Sequence, residues 1–264
     1  MSKMNGALHE IHYMDMLANE NKWINRIHPL VKLLVTFMYI ATIVSIHKYN
    51  LVGILIMGVY PIVIFTLGEI SFFESLKRIK IILPFICIVG IFNPFFDKVP
   101  LLTIGNITIT MGVISMFTLL IKGVYCVLAS YLLIATTTIE KICYALRLLY
   151  VPEILVTQIL LTYRYISVLL KEANRMILAY SLRAPRQKGV HFKVWGSLVG
   201  QLLLRSIDCA SLVYDSMMLR GYKGVFYYSD EKSCKRKDYA YLIVWIIVFV
   251  LLKFLPIFIM KGRG

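Results

Sequence analysis

The stretch PEILVTQILLTYRYISVLLKEANRMILAYSLRAP, residues 152–185, decides how the rest of the chain is read. Pro152 suits the first turn of a helix, where its missing N–H is not needed. From there a helix can run to Arg183, about 32 residues or roughly 48 Å at 1.5 Å per residue. Ile154, Leu155, Ile159, Leu160, Ile166, Leu169, Leu170, Ala173, Met176 and Ile177 make it strongly apolar. Arg164, Lys171, Glu172 and Arg175 interrupt that run. Each charge at a bilayer centre costs at least about 3 kcal/mol. The helix is therefore expected at or beneath the membrane interface, with its charges in water. Ala184-Pro185 stops it, because a residue before proline is pushed out of the helical region.

The next segment repeats the pattern. Gln187-Lys188-Gly189 reads as a turn, and a third cytoplasmic helix is expected from about Val194 to Arg220. It carries Gly196 and Gly200, then Leu202, Leu203, Ile207, Ala210, Val213, Tyr214, Met217 and Met218. Gly221 is placed to end it in the left-handed conformation. Leu182-Arg183-Ala184 and Leu219-Arg220-Gly221 thus each put one arginine in the last turn of a long amphipathic helix. A single arginine there has a plain explanation, since a cation offsets the helix dipole by about 0.3–1 kcal/mol. Two helices crossing antiparallel would carry their arginine tips about 30–40 Å apart. That would be a bivalent surface for two copies of one partner, and arginine's planar fork suits carboxylates or carbonyls in a groove. From the residues alone, docking and capping both stand.

Composition supports a membrane setting. The chain has 264 residues, 59% hydrophobic, with a formal net charge of +15 and a mean hydropathy of +0.75. Soluble domains average about 45–50% apolar residues. The positive charge reads as positive-inside topology and attraction to anionic lipid, and not as nucleic-acid binding. Cys87, Cys126, Cys143, Cys209 and Cys234 lack CxxC spacing and read as small buried hydrophobes, neither disulfides nor a zinc site. No cleavable signal peptide is evident.

Spans are expected at about Leu30–Ile46, Leu51–Leu67, Ile81–Phe96, Ile107–Ala135 and Tyr239–Met260. The loop from Gly68 to Lys80 holds Lys77, Arg78 and Lys80, against one basic residue in each flanking turn, His47–Asn50 and Asp97–Asn106 (Lys48 and Lys98). The cytoplasmic side should then hold the N-terminus, that loop and Thr136–Asp238. Five spans leave Lys261 and Arg263 outside, a conflict that a re-entrant or split span would resolve. The expected fold is an all-α membrane protein of about five transmembrane helices plus long cytoplasmic amphipathic helices. Its parts are a cytoplasmic lead-in (1–29), spans one to four (30–136), the cytoplasmic helices (137–238) and a last span (239–264). Thr137 and Glu140 have capping-box spacing for a short helix to about Leu149, and the run Asp230–Lys237 reads as a charged linker.

Other candidates each have a bland reading. Arg164 and Arg175 either join the arginine surface or snorkel from an interfacial helix. Arg205 and Asp208, three apart, can pair on one helix face. Lys122, mid-span, is a functional candidate or a polar contact between helices; no acidic partner is obvious. His9-Glu10-Ile11-His12 with Asp15 lacks the spacing of a helical zinc motif and reads as a solvated tail. There is no GxxxxGK[ST] loop, no DxxD cluster and no GxSxG elbow, and Glu69 sits only at a span boundary. A membrane enzyme acting on lipid or isoprenoid phosphates lacks its carboxylates. A channel or secondary transporter working alone would place Lys122 in its path.

The residues His28-Pro29-Leu30-Val31-Lys32-Leu33, Tyr163-Arg164-Tyr165, Tyr180 through Pro185, Gln201 through Ser206, and Leu219-Arg220-Gly221 carry a resemblance over nearly the whole chain. It resembles the transmembrane T component of energy-coupling factor (ECF) importers, of the cobalt type (CbiQ family). The resemblance implies a multi-pass protein of the prokaryotic plasma membrane that is not itself an enzyme. It implies two partners, an ABC-type ATPase dimer that binds ATP and magnesium and a substrate-binding membrane S component; this chain would hold no cofactor or metal. It also implies Ala-Arg-Gly-type motifs at helix tips that enter grooves of the ATPases, here around Arg183 and Arg220. Leu182 and Leu219 stand where the pattern has alanine, and Ala184 where it has glycine; Gly221 agrees. Arg164, Arg175 and Arg205 are supporting candidates. Cobalt is the expected substrate, with nickel or a vitamin as alternatives.

Overall fold

The computed structural model describes residues 2–20, 22–70, 75, 80, 83–88, 90–92, 100–104, 107–185, 189–224 and 234–261. Lys77, Arg78, Lys98, Gln187, Lys188, residues 230–233 and Arg263 lie outside them, as does much of the expected third span. The helices are α1 (Ser2–Asn19), α2 (Pro29–Ser45), α3 (Leu51–Met57) and α4 (Val59–Gly68), then α5 (Leu83–Phe92). They continue as α6 (Met111–Thr136), α7 (Ile139–Leu148), α8 (Glu153–Arg183), α9 (Phe192–Leu219) and α10 (Arg236–Lys261). The chain divides into two units, one of residues 17–138 and 232–264, the other of residues 1–16 and 139–231.

In the first unit, α2 packs against α6 and α10. Val31, Val35, Tyr39 and Ile43, four apart, form its buried stripe. Tyr241, Trp245 and Phe249 repeat the same spacing on α10. Trp245 meets Tyr60 edge-on at 4.7 Å between ring centroids, and Phe249 lies 5.5 Å from Tyr39. The second expected span breaks in the middle. Gly58 separates α3 from α4, the carbonyl of Met57 accepts the Tyr39 hydroxyl at 3.0 Å, and a Cβ at Gly58 would fall 2.5 Å from the Tyr125 hydroxyl oxygen. A side chain at that position would push the Tyr125 ring of α6 out of its place.

The fourth expected span is corrected at its start. Residues 107–110 are not helical. They form strand β2 (Ile107–Thr110), antiparallel to β1 (Pro100–Ile104), with Thr103 opposite Thr108 and Ile104 opposite Ile107. Threonine and isoleucine alternate there, and their branched β-carbons favour the pleated backbone over the helix. The helix itself begins at Met111.

Three ends of helices meet around the entry to α2. The side chain of Asn25 donates to the carbonyls of Leu17 and Glu20, both at 2.9 Å. The His28 ring accepts the Leu30 N–H and caps α2, while the His28 N–H donates to Asp238 at 3.2 Å. Asp238 also accepts the Lys235 N–H at 2.9 Å, the reciprocal half of a cap at the start of α10. Lys32, buried, donates to the Thr136 carbonyl at 2.8 Å and to the Thr137 hydroxyl at 3.4 Å. With Thr137 so engaged, α7 starts at Ile139, one residue later than a Thr137–Glu140 box would place it.

Lys122 does the converse. Its ammonium reaches the Val44 and Ile46 carbonyls at the end of α2. It meets the partial negative charge of a helix C-terminus and so needs no carboxylate.

In the second unit, α8 packs on α7 and on α9. The N-terminal segment is helical, not a tail, and Asp15 on it accepts the Tyr163 hydroxyl at 2.8 Å. His9, Glu10 and His12 are exposed. Among the described residues no three His, Cys, Asp or Glu side chains gather as a metal site would require.

Candidate functional site

The two arginine tips close differently. At the first, Arg183 is the last residue of α8, and Leu182 beside it is 74% exposed. Ala184 leaves the helix at φ −128° and ψ 63°, its N–H still bound to the Tyr180 carbonyl at 3.0 Å. This follows from Pro185, which bars the helical region to the residue before it. At the second, Arg220 caps α9, and Gly221 takes φ +80°. The Gly221 N–H donates to the Met218 carbonyl and the Tyr222 N–H to the Met217 carbonyl, each at 3.0 Å. That nested pair is a Schellman motif, which consumes the last carbonyls of the helix and turns the chain sharply. Leu219, 90% exposed, stands at its crown.

The helices α8 and α9 are antiparallel. Residues 161–165 of α8 face residues 212–217 of α9, and residues 173–177 face residues 195–202. Between these, Glu172 is gripped by Arg205 across the pair and by Arg175 at 3.4 Å on its own helix. Arg205 pairs with Glu172 across the helix pair, where pairing with Asp208 on its own helix was expected. Arg205 thus bridges α9 to α8 through Glu172, while Arg175 meets the same carboxylate from its own helix. Arg164 is placed differently. It lines an open groove of about 830 Å³ with Leu161, Tyr165, Val213, Met217 and Arg220. Gly221, Tyr222 and Lys223 complete that end.

The structure thus brings Arg164 and Arg220 to one groove and leaves Arg183 about 19 residues further along α8, about 28 Å at 1.5 Å per residue. Lys223 is a groove residue that the sequence did not single out, while Tyr165 and Tyr222 stood out only as neighbours of Arg164 and Arg220. The signal was present, since 161, 164 and 165 share one helical face, as do 209, 213 and 217.

The faces around the tips are apolar and open. No residue of α9 is buried. Trp195, Val199, Leu203, Leu204, Ile207 and Leu212 are each more than half exposed. Trp195, Val199, Leu203 and Ile207 share one side of α9, and an exposed apolar stripe of this kind suits contact with a partner or with lipid.

Among the described residues, three stretches are by length and composition apolar enough to cross a membrane, Leu51–Gly68, Met111–Thr136 and, despite its charges, Glu153–Arg183. Leu51–Gly68 and Met111–Thr136, together with the apolar α2 and α10, make this a multi-pass integral membrane protein. Residues 20–234 match the family of CbiQ, cobalt transport proteins, and the chain belongs to that family of prokaryotic plasma-membrane transport components. It is 28% identical over 218 residues to MJ1571, an uncharacterized protein of Methanocaldococcus jannaschii, covering 79% of this chain and 75% of that one. It is 27% identical over 119 residues to the nickel permease LarQ of Lactiplantibacillus plantarum, covering 45% of this chain and 44% of LarQ.

Proposed function

We propose that this chain is the scaffold and coupling (T) subunit of an ECF-type importer for a divalent metal ion. Two ABC-type ATPases, which bind ATP and magnesium, dock on the tips at Arg183 and Arg220. Their closure moves α8 and α9 as levers, and these drive a separate substrate-binding membrane subunit. The chain itself hydrolyses nothing. One observation carries this reading: an antiparallel helix pair ends at opposite poles in exposed arginines, each beside an exposed leucine, while its flanks carry open apolar surface. A lone transporter or enzyme would have no use for that surface.

The family description favours cobalt as the ion moved. The likeness to LarQ supports nickel as a second reading.

The chain purified in detergent from its native membranes should bring down an ATPase. Arg183→Glu with Arg220→Glu should abolish that association, because each tip would lose a charge-assisted contact worth about 2 kcal/mol or more and gain a repulsion. An ATPase that stays bound to the double variant, or none bound to the wild type, would sink the coupling role.

A further inference from the structure

The chain passes between its two units at three points, after Met16, after Thr138 and before Lys232. Each passage lies within about six residues of a helix end held by the short segment from Asn25 to Lys32. Asn25 holds the Leu17 carbonyl in the last turn of α1 and the Glu20 carbonyl just past its end. Lys32 holds the end of α6, at Thr136 and Thr137. The His28 N–H holds Asp238 in the first turn of α10, and Asp238 in turn caps that helix. Asn25, His28, Lys32, Thr136, Thr137 and Asp238 are all buried.

Two of these bonds are of the strong kind. The Lys32 ammonium meets the negative end of the α6 dipole, and the Asp238 carboxylate meets the positive end of α10. Burial removes competing water, so the bonds resist local opening more than exposed caps would. Ordinary capping would use a residue next to each helix. Here the eight residues Asn25–Lys32 hold three helix ends: α6 leads into α7, α10 follows α9, and α1 carries Asp15, which accepts the Tyr163 hydroxyl of α8.

We infer that Asn25–Lys32 is the fulcrum of the protein, with Lys32 its principal positioning residue. It fixes the three chain passages in the membrane unit, so that displacement of α8 and α9 is delivered to α2 and α6 instead of being absorbed by fraying at the junctions. The inference rests on the coupling reading above. It adds a residue that touches neither ATPase nor substrate and acts through helix ends.

The test is hydrogen exchange on the intact complex purified from native membranes, with and without a non-hydrolysable ATP analogue. In the wild type, nucleotide should change exchange both in α8–α9 and at residues 128–142. In Lys32→Met the response in α8–α9 should persist, while the response at residues 128–142 should fall roughly fivefold or more. Asp238→Asn keeps the side chain's size but replaces one of the two acceptor oxygens with an NH2 group that cannot accept an N–H. It should show the same split at residues 236–241 and decides the matter if Lys32→Met does not fold. A nucleotide response at these junctions equal to wild type in the variants would overturn the fulcrum while leaving coupling intact. A wild-type chain that carries no ATPase would remove the coupling reading and the fulcrum with it.

Discussion

Lys122 shows how a residue's meaning depends on what faces it. A lysine in the middle of an apolar helix invites a search for a carboxylate. The partner is a helix end, with two carbonyls that no sequence pattern advertises. Lys122→Leu should leave those carbonyls unsatisfied and cost about 2 kcal/mol, read as a lower midpoint of thermal unfolding in detergent. Any loss of transport should follow the loss of folded protein. A channel role for Lys122 would instead abolish flux at unchanged stability. The same blindness hid the role of Lys32, Asn25 and Asp238. Their types and positions were visible, but their partners are backbone groups more than a hundred residues away in two of the three cases.

At the scale of elements, the ends of α8 and α9 were legible because their causes are local. Pro185 and Gly221 each act on the residue beside them, and the observed ends fall where those residues put them. The groove at Arg164 and Arg220 was only half legible. Which faces of α8 and α9 turn inward depends on their antiparallel pairing and on the Arg205–Glu172 bridge, neither written in one helix alone. The β1–β2 hairpin was missed because a run of apolar β-branched residues satisfies hydropathy in either conformation. Gly221→Ala tests the tip directly. At φ +80° an added Cβ costs about 1–2 kcal/mol, so the Schellman turn should loosen. The amides of Gly221 and Tyr222, now bonded to Met218 and Met217, should exchange at least several-fold faster. ATPase association should weaken without being lost, since Arg220 remains.

At the scale of the whole molecule, the two units differ in how they spend their apolar side chains. The first builds a core, with Tyr39, Ile43, Ile54 and Met57 almost wholly buried. In the second, α9 buries none, leaving its apolar side chains open to a partner or to lipid. Cysteines report on this difference. Cys143 on α7 is fully buried, and burial followed by the nearby Glu140 carboxylate pushes its thiol above the usual range. It should resist maleimide at neutral pH in every state, because the thiolate is the reactive form. Cys209 lines the groove on α9 and is only partly covered. It should be labelled in the isolated chain and protected once partners are bound, as peptide mass spectrometry can show. Equal labelling of Cys209 in both states would mean that the groove stays open in the assembly.

The lysines of α2 and α6 have a kinematic consequence. Lys32 on α2 grips the end of α6, and Lys122 on α6 grips the end of α2. Two antiparallel rods pinned at both ends cannot slide lengthwise, since a shift of one helical turn, about 5.4 Å, would tear out both pins at once. The cheap movement left to the pair is to swing as one blade, so this part of the membrane bundle is built to pivot and not to piston.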